Sequence, residues 1–181
     1  MDAQLDPQAQ ALLEQMAIAA AVSDRVSPEE KLIAARESHR AVIPLAGEPE
    51  PVRNVYERQI PSESGSIPVR IYAPNADQAP VLVYFHGGSF MSGDLDTHDT
   101  PLRALANKVG CIIVAVAYRL APEHPFPAAP EDCYTVTKWV AENADEIGVD
   151  KTRIAVGGDS AGGDLAAVVC LMARARWNPA I

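Results

Sequence analysis

The sequence predicts an α/β fold in which helices cover both faces of a mostly parallel sheet. Three observations carry this. Val81-Leu82-Val83-Tyr84-Phe85 and Cys111-Ile112-Ile113-Val114-Ala115-Val116 are near-continuous apolar runs, as expected of strands buried on both sides. Helical segments separate and follow these runs, giving the βαβα alternation that builds a parallel sheet. A third apolar run, Arg153 to Val156, leads straight into a glycine-dense turn, Gly157 to Gly163, and then a helical segment from Leu165 to Ala175.

Taken in order, residues 1 to about 45 read as helical. Asp6-Pro7 starts one helix, with Leu12, Leu13, Met16 and Ala20 spaced to share a face. Ser27-Pro28-Glu29-Glu30 starts another: the serine caps, the proline fits the first turn, and Glu30 reaches back in a capping box. Such a helical pair serves either as a cap over a site or as an N-terminal packing element. Val52 to Ile60 and Ile67 to Tyr72 read as strands, and the turn-rich link between them predicts a hairpin. Thr100 to Val109 reads as a crossover helix, and a further helix covers about 130 to 147.

The chain has 181 residues, of which 48% are hydrophobic and 22% charged, so it can bury a core and one ordinary domain is expected. Its net charge of -9 and lack of a Lys/Arg cluster argue against nucleic-acid partners, because no basic face exists to displace counterions from phosphates. No apolar stretch is long enough to span a bilayer, and the first residues carry no secretory pattern. Cys111, Cys133 and Cys170 are odd in number and lack metal-ligand spacing. They are expected to be buried free thiols in a reducing, cytoplasmic compartment.

Chemistry concentrates in three places. Gly158, Ser160 and Gly162 form G-x-S-x-G between a strand and a helix. There a serine is held in a strained turn with its hydroxyl outward, small neighbours avoid clashes, and a helix N-terminus favours developing negative charge. The alternative is a glycine-rich turn that only reverses the chain. His86-Gly87-Gly88-Ser89-Phe90 follows a strand, and its backbone N–H groups suit an oxyanion hole. Alone, that segment would read as an ordinary strand-ending turn. Tyr118 to Ala129 and the residue after it contain Pro122, Pro125, Pro127 and Pro130, which stiffen a loop. Within it, Arg119 and Glu123 read as an ion pair, with direct substrate contact as the alternative.

Together, His-Gly-Gly-Ser-Phe, Tyr-Arg-Leu-Ala-Pro-Glu-His-Pro-Phe-Pro-Ala and Gly-Asp-Ser-Ala-Gly-Gly resemble the hormone-sensitive-lipase-like family of α/β-hydrolases. The resemblance implies a serine carboxylesterase acting on small esters of short to medium acyl length, without cofactor or metal. It also implies an α/β-hydrolase fold with a helical cap segment over residues 1–45 and the N-terminal part of the core over 46–181. By it, Ser160 is the nucleophile, and Gly88, Ser89 and Ala161 line the oxyanion hole. Ser89 stands where the family usually has glycine, and Asp164 where it often has asparagine.

The family order is Ser, then Asp or Glu, then His. No histidine follows Ser160; His39, His86, His98 and His124 all precede it. Asp164 lies too close to the nucleophile to serve as the acid at a distant strand end. The expectation is therefore a truncated form lacking the triad Asp and His and the C-terminal strands, with a catalytically inactive ligand-binding module or a non-functional fragment as the alternative.

Overall fold

The computed structural model describes residues 5–11, 13–14, 27–74, 78–176 and 178–181. The chain divides into two compact units, Met1–Ala35 and Arg36–Ile181. In the first, residues 7–11 and 13–14 are helical and Leu13 is exposed. The expected helix face extends over Leu12, Met16 and Ala20, which lie outside the described residues. The capping box at Ser27 forms as expected: Glu30 N–H donates to Ser27 Oγ at 3.2 Å, and Ser27 N–H donates to Glu30 Oε2 at 2.8 Å. It opens helix α1 (Pro28–Ala41), which runs on into the second unit.

The second unit holds a five-stranded sheet in the order β1-β2-β4-β3-β5. β1 (Asn54–Ser62) and β2 (Gly65–Ala73) form the hairpin, joined by only two residues because Ser62 pairs with Gly65. β2 runs antiparallel to β4 (Ile112–Val116), while β3 (Ala79–Phe85) is parallel to both β4 and β5 (Val149–Gly158). The α/β class stands, but the sheet is mixed. A two-residue turn can only return the chain antiparallel, and β2 then carries that reversed direction into its pairing with β4.

Period-two alternation splits the side chains of the central strands between two cores. Val81, Val83 and Phe85 of β3 and Ile112, Val114 and Val116 of β4 face α3 (Ala128–Glu142) and α4 (Ala161–Arg176), meeting Cys133, Val136, Val140, Leu165 and Val169. Ile113 and Ala115 face the other way, against Leu102 and Ala106 of α2 (Asp99–Val109). Each fully buried Val, Ile, Leu or Phe contributes about 1.5–3 kcal/mol, so both faces are anchored.

Several boundaries differ from expectation, among them the hairpin strands, expected at Val52–Ile60 and Ile67–Tyr72 and observed at Asn54–Ser62 and Gly65–Ala73. β5 begins at Val149, because Val149 pairs with Ala79 before a register shift. α3 stops at Glu142, and a separate 3-10 turn, Ala144–Ile147, completes the expected helical span. α4 starts at Ala161, so Gly162 and Gly163 lie inside it despite their poor helix propensity.

Candidate active site

β5 ends at Gly158 and α4 begins at Ala161, leaving Asp159 and Ser160 to make the whole turn. Ser160 has φ +50°, in the left-handed region that a non-glycine residue occupies only under constraint. The constraint is visible. Gly162 N–H donates to Asp159 O at 2.8 Å, and Gly163 N–H to Ser160 O at 2.8 Å. A β-carbon at Gly158 or at Gly162 would overlap the carbonyl oxygen of Phe85 at the end of β3. The small residues flanking the serine are therefore a packing requirement between the elbow and β3. Ser160 is exposed, and the N-terminus of α4 lies at the residue after it.

The loop after β3 is equally constrained. Gly88, Ser89 and Phe90 have φ of +122°, +54° and +62° in succession. Met91 and Ser92 N–H both donate to Gly88 O, at 3.0 and 2.9 Å, closing the turn. The expected departure at Ser89 thus has a physical counterpart: a side chain occupies a position glycine would fill without strain. Among the described residues, nothing accepts a hydrogen bond from the N–H of Gly88, Ser89 or Ala161.

Asp159 links the two segments, and sequence reasoning missed it. Its Oδ1 accepts from Tyr84 Oη at 2.9 Å and from Gly87 N–H at 2.9 Å, and His98 Nε2 stands 3.2 Å away. Burial raises the Asp159 carboxyl, but the Tyr84 hydroxyl, His98 and the Gly87 N–H together hold it below the usual carboxylate range. His98 is itself lowered, first by burial and against the pull of Asp159. These residues are far apart in sequence, so no motif spacing announces them.

His86 stacks on Tyr118, with ring centroids 4.3 Å apart, and its Nδ1 donates to Gly87 O at 2.7 Å. Tyr118 Oη donates to His86 O at 2.6 Å. Burial pushes the His86 imidazole down to about 4. His86 is thus a neutral prop beneath the loop. His124 is exposed on the proline-rich loop. Among the described residues, no histidine is hydrogen-bonded to Ser160.

The expected Arg119–Glu123 pair does not form. Arg119 instead forks onto Asp132 of α3, with Nη2 to Oδ1 at 2.7 Å and Nε to Oδ2 at 2.9 Å, and its N–H also reaches Oδ2. Asp132 is 2% exposed, so the partner is a buried carboxylate. The turn that brings His124 N–H onto Leu120 O carries Glu123 away from Arg119, and Glu123 pairs with Arg36. A cleft of about 450 Å³ opens beside the elbow, lined by Ser89, Phe90, Met91, Phe126, Leu165 and Val168 among others. Its walls are predominantly apolar. Asp164, in the first turn of α4, also lines it.

The thiols differ in part from expectation. All three cysteines are free and Cys111 and Cys133 are buried, but Cys170 is exposed on the outer face of α4. No helix among the described residues is long and apolar enough to cross a membrane.

A mixed sheet with this strand order, crossed by a strand–elbow–helix turn carrying a serine, defines an α/β-hydrolase core. Residues 82–181 match the family described as alpha/beta hydrolase fold, and the chain belongs to that family. It is similar to the esterase LipI of Mycobacterium tuberculosis, with 50% identity over 135 residues, covering 72% of this chain and 42% of that protein. The carboxylic ester hydrolase LipN of the same organism is 42% identical over 172 residues, covering 94% of this chain and 45% of that one. Among solved structures, the hyperthermophilic esterase of the archaeon Pyrobaculum calidifontis superposes with a TM-score of 0.83 at 42% identity, over 97% of this chain and 54% of that chain. The chain thus spans less than half the length of these two curated relatives.

Proposed function

We propose that the chain carries the nucleophile and oxyanion donors of a serine carboxylesterase acting on small esters. The observation that carries this is Ser160 at φ +50° on an obligate glycine elbow, in an α/β-hydrolase core where the N–H groups of Gly88, Ser89 and Ala161 find no acceptor among the described residues. Attack of Ser160 Oγ on the ester carbonyl builds an oxyanion, and donors of this kind are each worth about 2.7–4 kcal/mol in the transition state. Collapse expels the alcohol and leaves an acyl-enzyme, which water then hydrolyses. The apolar cleft at Phe90, Met91 and Phe126 suits a short to medium acyl or alcohol group. In this reading residues 1–45 are the cap segment and 46–181 the N-terminal part of the core. No cofactor takes part, and the three free cysteines agree with a reducing, cytoplasmic setting.

The reaction needs a base on Ser160, and these 181 residues offer no histidine after it. In the family order, a carboxylate and a histidine following the serine would activate it. A second reading is that the chain holds an ester-like ligand in the apolar cleft beside the elbow without turning it over. A chromogenic short-chain ester assay, with Ser160→Ala as control, separates the two. Turnover that Ser160→Ala removes supports the esterase; ligand binding without turnover supports the binding module. Turnover unaffected by Ser160→Ala sinks the assignment of the nucleophile.

A further inference from the structure

Arg36 lies far upstream of the elbow, yet its guanidinium commits four N–H donors to the two loops that flank the cleft. Nε donates to Met91 O at 2.8 Å, and Nη2 to Ala121 O at 3.2 Å. Nη1 and Nη2 also grip Glu123 Oε1 and Oε2, each at 2.7 Å. Between these contacts, Ala121 N–H donates to Phe90 O at 2.9 Å. One planar cation therefore closes a ring made of the carbonyls of Phe90 and Met91 on one loop and the amide and carbonyl of Ala121 on the other. Two neighbours of Arg36 on α1 hold the same loop: His39 Nδ1 lies 3.1 Å from Ser92 Oγ, and Arg40 pairs with Asp94.

The ring matters because of what it encloses. Two non-glycine residues, Ser89 and Phe90, follow Gly88 in the left-handed region, and each such residue is strained unless its surroundings over-determine it. The turn through Gly88 O fixes the start of the run. The Phe90–Ala121 bond and the Arg36 fork fix its end.

We propose that Arg36 is a positioning residue for the oxyanion loop: by bracing Met91 O and Ala121 O it holds the Gly88 and Ser89 N–H groups in the orientation ester hydrolysis requires. The inference rests on the esterase reading above. Lysine does not substitute, since a point ammonium cannot serve two carbonyls and a carboxylate in one plane as a guanidinium does. A misplacement of about 1 Å near reacting atoms can cost on the order of a hundredfold in rate. Loss of Arg36 therefore lowers kcat while leaving KM nearly unchanged.

Amide hydrogen exchange on the full chain without ligand tests the brace independently of turnover. Arg36→Ala and Arg36→Lys are both expected to speed exchange at Met91, Ser92 and Ala121, whose amides are hydrogen-bonded, by at least about tenfold, with the amides of β3 and β4 unchanged. Unchanged loop exchange overturns the proposal. So does equal acceleration in β3 and β4, which marks a merely structural role. If the unsubstituted chain shows Ser160-dependent turnover, kcat must fall in both variants, and full rescue by lysine also overturns it. If it shows none, the exchange result alone decides the brace.

Discussion

At the elbow, adjacent glycines have opposite duties. A β-carbon at Gly162 would overlap the Phe85 backbone, which cannot move without unpairing β3. One at Gly163 would sit 3.5 Å from Gly158 O, an ordinary contact, inside a helix where alanine is favoured by about 1 kcal/mol. Gly163→Ala should therefore raise the thermal midpoint, while Gly162→Ala should lower it sharply or abolish folding. Thermal unfolding followed by circular dichroism checks both. The elbow was legible in the sequence because its glycine spacing is local. The carboxylate of Asp159 was not, since its partners Tyr84, Gly87 and His98 come from β3 and the loops after it, and only the sheet brings them together. Arg36 was hidden for the same reason: helix α1, the loop after β3 and the proline-rich loop meet only in space.

Elements were readable where burial is symmetric. β3 and β4 declare themselves because both of their faces are covered. β5 was read only from Arg153 onward, because Asp150 to Thr152 is polar and largely exposed. The proline-rich loop shows what proximity in sequence cannot decide. Its arginine chose the buried Asp132 of α3 over the nearer Glu123, because an arginine that forks onto a buried carboxylate satisfies a charge that would otherwise be costly. Asp132→Ala leaves Arg119 without its fork and its N–H without an acceptor, so a loss of about 2–3 kcal/mol is expected in urea unfolding. Glu123→Gln, on an exposed pair, should leave the same midpoint nearly unchanged. The opposite ranking would restore the sequence-based pairing.

Across the whole molecule, stability should depend on pH in a window set by buried imidazoles. His86 is held at about 4 and His98 is lowered as well, both chiefly by burial, whereas unfolded histidine titrates near 6.5. Between these values the unfolded chain binds more protons than the folded one, so stability rises with pH there and is lost as pH falls from about 6.5 towards 4. For His86 the difference amounts to about 3 kcal/mol. Carboxylates held low, such as Glu123 at about 2 beside Arg36 and Asp150 at about 2 beside Thr152 and Arg153, act below that window, since their unfolded forms remain charged down to about 4. Urea midpoints at pH 7, 6 and 5 should therefore fall already in the histidine window, and His86→Gln should flatten the slope. A midpoint constant down to pH 5 would refute the assignment. The Asp159 carboxylate also constrains recombination between chains of this fold. A β-carbon at Gly87 would run into its Oδ2, while its Oδ1 holds the Gly87 amide. Residues 87 and 159 thus behave as one heritable unit: a loop graft from another hydrolase succeeds only when the donor supplies both positions together.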